Sequence, residues 1–207
     1  MVVPTVVRDR VIDRRPGATL DAKDHVLPAS RVTESVTDLV LDAVSGAHPR
    51  RRDGGYARCV GVLREVVEAD LPVFYEHQRD REAAAMAAFP PRERDAFMAH
   101  WAKTLANDSA LTWTVVSDGA VAGNIGCWED DGRRFVGYWI GREFWGRGLA
   151  TQALAELLDV VDARPLHAYV AKSNVASIRV LEKCGFVKVG EHAGQNGIVE
   201  LLLELRV

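Results

Sequence analysis

Apolar positions along the chain recur with two periods, two residues in some stretches and three to four in others, and these periods mark out strands and helices. From Cys59, "CVGVLREV" predicts a first strand, and "EADLPVFYEHQ" opens with acids before setting Leu71, Phe74 and Tyr75 at helical spacing. The prolines of "FPPRERD" stop one element, and Phe97, Trp101 and Leu105, at intervals of four, predict the apolar face of a second helix. Three strands are then expected in "LTWTVVS", "AVAGNIGCW" and "FVGYWI". The turn Ser117-Asp118-Gly119 and the charged turn "EDDGRR" separate them, as in an antiparallel meander. A helix starting around Gly146 carries Ala150, Ala153, Leu154, Leu157, Leu158 and Val161 on one face. "PLHAYVA" predicts a short strand, and "NVASIRVLEKCG" a helix capped by Asn174 and stopped by Gly185. "FVKVGEHAG" and "GIVELLLELRV" predict a last hairpin turned at Asn196-Gly197. This order predicts an α+β fold of three layers, a mixed, mostly antiparallel central sheet of about six to seven strands flanked by helices.

No Phe, Trp or Tyr precedes Tyr56, so the start of the chain lacks the residues that supply most buried area. Residues 1–57 therefore read as a flexible arm and 58–207 as the folded domain. Within the arm, Val32, Val36, Leu39, Val40 and Val44 predict one short helix, and "SGAHPRRRDGG" reads as a linker.

The 207 residues are 48% hydrophobic and 27% charged, with a net charge of -3, which gives no bulk attraction to nucleic acid or to an anionic membrane surface. Cys59, Cys127 and Cys184 are far apart, with no Cys-x-x-Cys and no histidine at ligand spacing, so neither a metal site nor a disulfide framework is expected. No apolar run approaches the roughly 18 residues of a membrane span, and the N-terminus lacks a signal peptide's apolar core. A cytoplasmic protein, monomer or homodimer, is expected.

The chemistry starts in "FWGRGLATQAL", where two glycines and a small residue stand before a helix that follows a strand. First-turn amides have no partner inside a helix, and the helix dipole favours an anion there. Gly146, Gly148 and Ala150 would let a bulky anion approach, with Arg147 and Thr151 adding a charge and a hydroxyl. Alternatively, the glycines serve only a tight turn. No Gly-Lys-Ser/Thr follows, and Thr151 stands where a dinucleotide fingerprint needs its last glycine.

"YWIGREFWGRGLATQAL" resembles the coenzyme A loop of the GNAT N-acetyltransferases, whose signature Gln/Arg-x-x-Gly-x-Gly/Ala falls on Trp145 to Ala150. The leading Trp resembles the ribosomal-protein acetyltransferase-like branch. "NVASIRVLEKCGF", Asn174 to Phe186, resembles the later Asn-x-x-(Ser/Ala)-x-x-x-(Tyr/Leu)-Glu-Lys-x-Gly-Phe helix of the same family. The resemblance covers residues 59–207. It implies that the amides of Gly146, Arg147, Gly148, Leu149, Ala150 and Thr151 hold the pyrophosphate of acetyl-CoA. It also implies that Tyr138, Trp139 and Ile140 pair with the pantetheine arm, that an amide near Ile140 polarises the thioester carbonyl, and that Asn174 reaches the same arm besides capping its helix. The acceptor would be a primary amine, on a small molecule or a protein N-terminus.

The acid and base are less evident. Where some branches carry a tyrosine acid this chain has Leu181, which leaves Ser177, one turn earlier, as acid or simply as a packed hydroxyl. The usual carboxylate positions fall on Arg134 and Tyr169, so Glu129, beside Asp130 in the adjacent charged turn, is the candidate base; the alternatives are that this turn is only a solvated hairpin loop and that a water serves as base. His77, His100, His167 and His192 have suitable chemistry but no spacing that ties them to the loop. Cys184 reads as a small buried residue more than as a nucleophile. A non-catalytic acyl-CoA-binding module is the alternative to an enzyme.

Overall fold

Seven strands form one sheet in the order β1-β2-β3-β4-β5-β7-β6, in a computed structural model that describes residues 61–194 and 197–207. The arm expected over 1–57, Cys59, Val60 and the turn residue Asn196 lie outside the described residues. Strand β1, Leu63–Glu65, is shorter than its alternation predicts, because the Glu156 carboxylate takes the Val62 amide at 3.0 Å and the Leu63 amide at 3.2 Å. β2 (Leu111–Ser117), β3 (Ala120–Asp130) and β4 (Arg133–Ile140) form the expected meander.

"EDDGRR", read as a charged turn, is mostly strand. β3 and β4 continue through it, with Glu129 opposite Arg134 and Asp130 opposite Arg133, and the turn narrows to Asp131 and Gly132 at φ 52° and 70°. Cross-strand pairs of opposite charge offset the low strand preference of the acids. β5 (Leu166–Ala171), β6 (Val187–Ala193) and β7 (Val199–Leu205) follow, with β7 inserted between the other two.

Helices α1 (Leu71–Arg79), α2 (Arg81–Ala87) and α3 (Arg94–Leu105) precede the meander. Periodicity does not reveal α2, whose short "REAAAMA" is four alanines in seven residues; it is fixed by Asp80, which caps it by accepting from the Ala83 amide at 2.9 Å. In α3, Phe97 and Trp101 are buried but Leu105 is 47% exposed, so the apolar face ends a turn earlier than the spacing suggests. Helix α4 (Leu149–Val160) starts after both glycines, and α5 (Val175–Lys183) ends at Gly185, whose φ is 88°.

The alternation of β4 separates the two helical layers. Val136, Tyr138 and Ile140 join the main core with Leu154 and Leu157 of α4 and Val180 and Leu181 of α5. Trp139 points the other way and packs with Ala83 and Ala87 of α2, beside a third cluster built on Leu71, Phe74, Phe97 and Trp101. Leu154 and Leu157 are completely buried, each contributing roughly 1.5–3 kcal/mol of burial free energy.

Candidate active site

The strand that divides the layers leads directly into the glycine-rich loop. After Ile140 the chain makes a short 3-10 turn, Arg142–Phe144, then passes Gly146 and Gly148 with φ of 76° and 78°, a left-handed conformation that L side chains rarely adopt. A Cβ at either glycine would meet nothing within 4 Å, so the loop is open as well as left-handed. Gly148 stands at the N-cap of α4 without a side-chain cap, and the first intrahelical bond runs from the Gln152 amide to the Gly148 carbonyl at 3.1 Å. The amides of Leu149, Ala150 and Thr151 are thus left to an outside acceptor. Arg147 curls over this loop, donating to the Glu143 carbonyl at 3.1 Å with its guanidinium 5.2 Å from the Phe144 ring centre.

Trp145 has a local task. Its indole N–H donates to the Ile140 carbonyl at 2.8 Å, tying the loop to the strand end. His77 of α1 supports the same corner from below: a Cβ on Gly141 would lie 2.6 Å from its ring, so only glycine fits there. Burial lowers the His77 pKa from its ordinary 6.5, and Glu143, 3.3 Å from Nε2, offsets part of this.

Beside that corner the sheet splits. β4 and β5 are parallel neighbours, but only Arg134 and Phe135 of β4 find partners, Leu166 and His167. The Gly141 amide is bonded to Ala122 on the β3 side at 2.9 Å, so strand alternation directs the main-chain groups of Ile140 and Tyr138 to the side where β5 has parted. Ile140 and Tyr138 therefore present a strand edge along this wedge.

Behind the edge, the Tyr138 and Ser177 hydroxyls are 2.7 Å apart in a buried hydrogen bond. Ser177 is completely buried, its amide donating to the Asn174 side chain at 3.1 Å, so Asn174 caps α5. Desolvation raises the Tyr138 pKa well above the ordinary phenol value, partly opposed by the bond to Ser177. On the opposite face of β4, Gly137 and Trp139 border a cavity of about 180 Å3 that extends beneath α1 and α3 and reaches Glu129.

The sequence pattern of the family described as the acetyltransferase (GNAT) domain matches residues 62–187. The chain belongs to the GNAT acetyltransferase family. A curated relative, the uncharacterized N-acetyltransferase p20 of Bacillus licheniformis, is 33% identical over 66 residues, 30% of this chain; the chain spans only 37% of that protein's length. The fold resembles that of spermidine N-acetyltransferase from Vibrio cholerae in complex with CoA and spermine, at a TM-score of 0.62 and 18% identity over 70% of this chain and 94% of that one. It also resembles an aminoglycoside acetyltransferase in complex with coenzyme A, at 0.59 and 19% over 70% and 94%.

Within this GNAT domain the candidate residues fall into two groups. Tyr138, Trp139, Ile140 and Gly146 to Thr151 make one continuous strand, loop and helix start, and Asn174 and Ser177 lie on α5 behind it. Glu129 belongs to the cavity on the far side of β4, its side chain half-exposed and 3.6 Å from Arg134. Arg134 and Tyr169, at the family's carboxylate positions, engage other groups: Arg134 pairs with Glu129, and Tyr169 stacks on Phe135 at 5.3 Å. Leu181 is completely buried in the main core. His100 lines the cavity, whereas His167 faces Glu204 at 3.2 Å and His192 packs against Tyr169. The Cys184 thiol lies 3.7 Å from the Thr151 carbonyl, and burial raises its pKa, which favours the protonated, unreactive form. Sequence reasoning missed the Tyr138 hydroxyl as a chemical group. The alternation Val136, Tyr138, Ile140 could have placed it on the α5 side.

No group of three or more metal-ligating side chains occurs among the described residues, and no helix among them is long and apolar enough to cross a membrane.

Proposed function

We propose that this chain transfers an acetyl group from acetyl-CoA directly to a primary amine of a small molecule or a protein N-terminus. The supporting observation is the succession along one piece of chain: a strand edge without a β5 partner at Tyr138 and Ile140, then the open helix start at Gly146 to Thr151. Acyl-pantetheine carries two amides followed by a pyrophosphate, the same order of hydrogen-bonding groups and anion.

On this reading the Tyr138 amide, at the end of the edge remote from the helix start, donates to the thioester oxygen as negative charge develops there, a stabilisation commonly worth about 3 kcal/mol. The amine nitrogen bonds to the thioester carbon, the carbon–sulfur bond breaks, Glu129 or a water it holds takes the proton from nitrogen, and the sulfur receives one from the Ser177 and Tyr138 hydroxyls. Asn174 holds Ser177 in place and borders the pantetheine arm. The names of the similar structures, which include spermidine and aminoglycoside acetyltransferases, support an amine acceptor. Trp145, the mark of the ribosomal-protein branch, is accounted for by its bond to Ile140, so it does not by itself favour a protein acceptor.

The test combines calorimetric CoA titration with thiol release from acetyl-CoA over a panel of amines. Acceptor-dependent thiol release supports the transferase. CoA binding with no release from any amine would instead establish an acyl-CoA-binding module.

A further inference from the structure

Resting on the transferase reading, the lining of the cavity narrows the acceptor. We infer that this enzyme acetylates a monoamine carried on a single apolar ring, held beneath α1 and α3, and discriminates against polyamines and aminosugars.

Size is the first argument. A cavity of about 150 Å3 lined by apolar side chains takes up benzene, and this one, about 180 Å3, admits a ring with a short alkyl chain. Shape is the second: Phe89, Phe97, Trp101, Trp128 and Trp139 contribute to its walls. On its floor, Gly126 and Gly137 are direct partners across β3 and β4, and the Thr112 methyl, 3.1 Å from where a Cβ on Gly126 would stand, adds an apolar contact beside them.

Charge is the third and most selective. Among the described residues of the lining Glu129 is the only acid, and it already faces Arg134 at 3.6 Å. Arg92 brings a positive charge to the same wall, its guanidinium 4.8 Å from the Phe89 ring centre. One ammonium is matched by Glu129 and by the ring faces. Each further ammonium would lose its water against the aromatic walls with no second carboxylate among the described lining residues to pair with. The amine must also reach β4, and Gly137 and Trp139 form the border between the cavity and the strand whose other edge lines the wedge.

Two measurements test this on the full chain, calorimetric binding to the protein saturated with CoA and thiol release from acetyl-CoA, each with 2-phenylethylamine, spermidine and an aminosugar. The expected kcat/KM for 2-phenylethylamine exceeds that for spermidine at least tenfold. Ala110→Phe, on the rim of the cavity, and Thr104→Leu, on its α3 wall, should each lower the ring amine's kcat/KM and affinity at least tenfold, leaving CoA affinity unchanged. Preference for spermidine or the aminosugar, or ring-amine binding insensitive to both variants, would overturn the inference. Ring-amine binding lost in both variants, but with no thiol released by any amine, would retain the subsite and refute the transferase.

Discussion

Tyr138 of β4 and Ser177 of α5 share a buried hydrogen bond, 2.7 Å between their hydroxyl oxygens, at the back of the wedge between β4 and β5. Desolvation raises the Tyr138 pKa far above its usual value, so the phenol is protonated at neutral pH. In the proposed transfer this pair takes the part of the proton source, which Leu181 has no group to supply.

If that pair protonates the departing thiolate, Ser177→Ala and Tyr138→Phe should each lower kcat by about 100-fold. Their effect on CoA affinity should be small and the loss of stability about 1 kcal/mol. Stopped-flow thiol release and calorimetry separate these quantities. A stability loss with unchanged kcat would assign the pair to packing alone.

Gly148→Val combines a left-handed φ of 78° with a side chain in front of the α4 amides. It should weaken CoA binding by about 100-fold, equivalent to about 2.7 kcal/mol. The matched control is Gly132→Val, at φ 70° in the β3–β4 turn with equally open space around it. The control should share the backbone strain of about 1–2 kcal/mol and leave CoA affinity as it was.

Asp70 is a buried carboxylate joined to Arg64 by two bonds of 2.6 Å, to the Thr114 hydroxyl at 2.6 Å and to the Val67 amide at 3.0 Å. Burial alone would raise its pKa; the bonds from Arg64, Thr114 and Val67 outweigh that and hold it at about 2. A folded pKa below the unfolded value stabilises the protein above the unfolded value, and the gain fades as pH falls through the folded one. The displacement corresponds to about 2 kcal/mol at neutral pH. Asp70→Asn should therefore cost about 2 kcal/mol at pH 7, and the difference from wild type should vanish as urea melts are carried from about pH 4 down to about pH 2.

His77 carries the same sign at higher pH. Its Nδ1 is buried without a hydrogen-bond partner among the described residues, and burial lowers its pKa below 6.5. The unfolded chain therefore binds the proton more readily, so stability is complete above about pH 6.5 and declines below it. Thermal melts between pH 7.5 and 5 should fall more steeply for wild type than for His77→Leu. Parallel curves would mean that His77 does not govern the decline.

The strand, glycine pair and amphipathic helix between Tyr138 and Val160 were legible because they follow one another directly in sequence. Most strands were legible because each has one face in a core. What escaped depends on contrast or on distance. Helix α2 is only seven residues long and buries alanines, too little apolar contrast to set a period, and the strands through "EDDGRR" are recognisable only from the pairing of Glu129 with Arg134 and Asp130 with Arg133. The cavity draws on α1, α3 and the meander together, and the Tyr138–Ser177 bond joins residues 39 positions apart. No period in the chain announces such meetings.

The two shared rungs of β4 and β5 have a consequence for cohesion. Backbone pairing divides the sheet into two antiparallel blocks, β1 to β4 and β5-β7-β6, held to each other mainly by the side chains of the layer formed by α4 and α5. A ligand lying in the wedge is mortar between the blocks, and mass action then adds about 2.7 kcal/mol to folding at a free concentration about 100 times Kd. Hydrogen exchange at the β4–β5 seam would slow as that ligand accumulates, so the acyl donor would act as a folding ligand for the protein that consumes it.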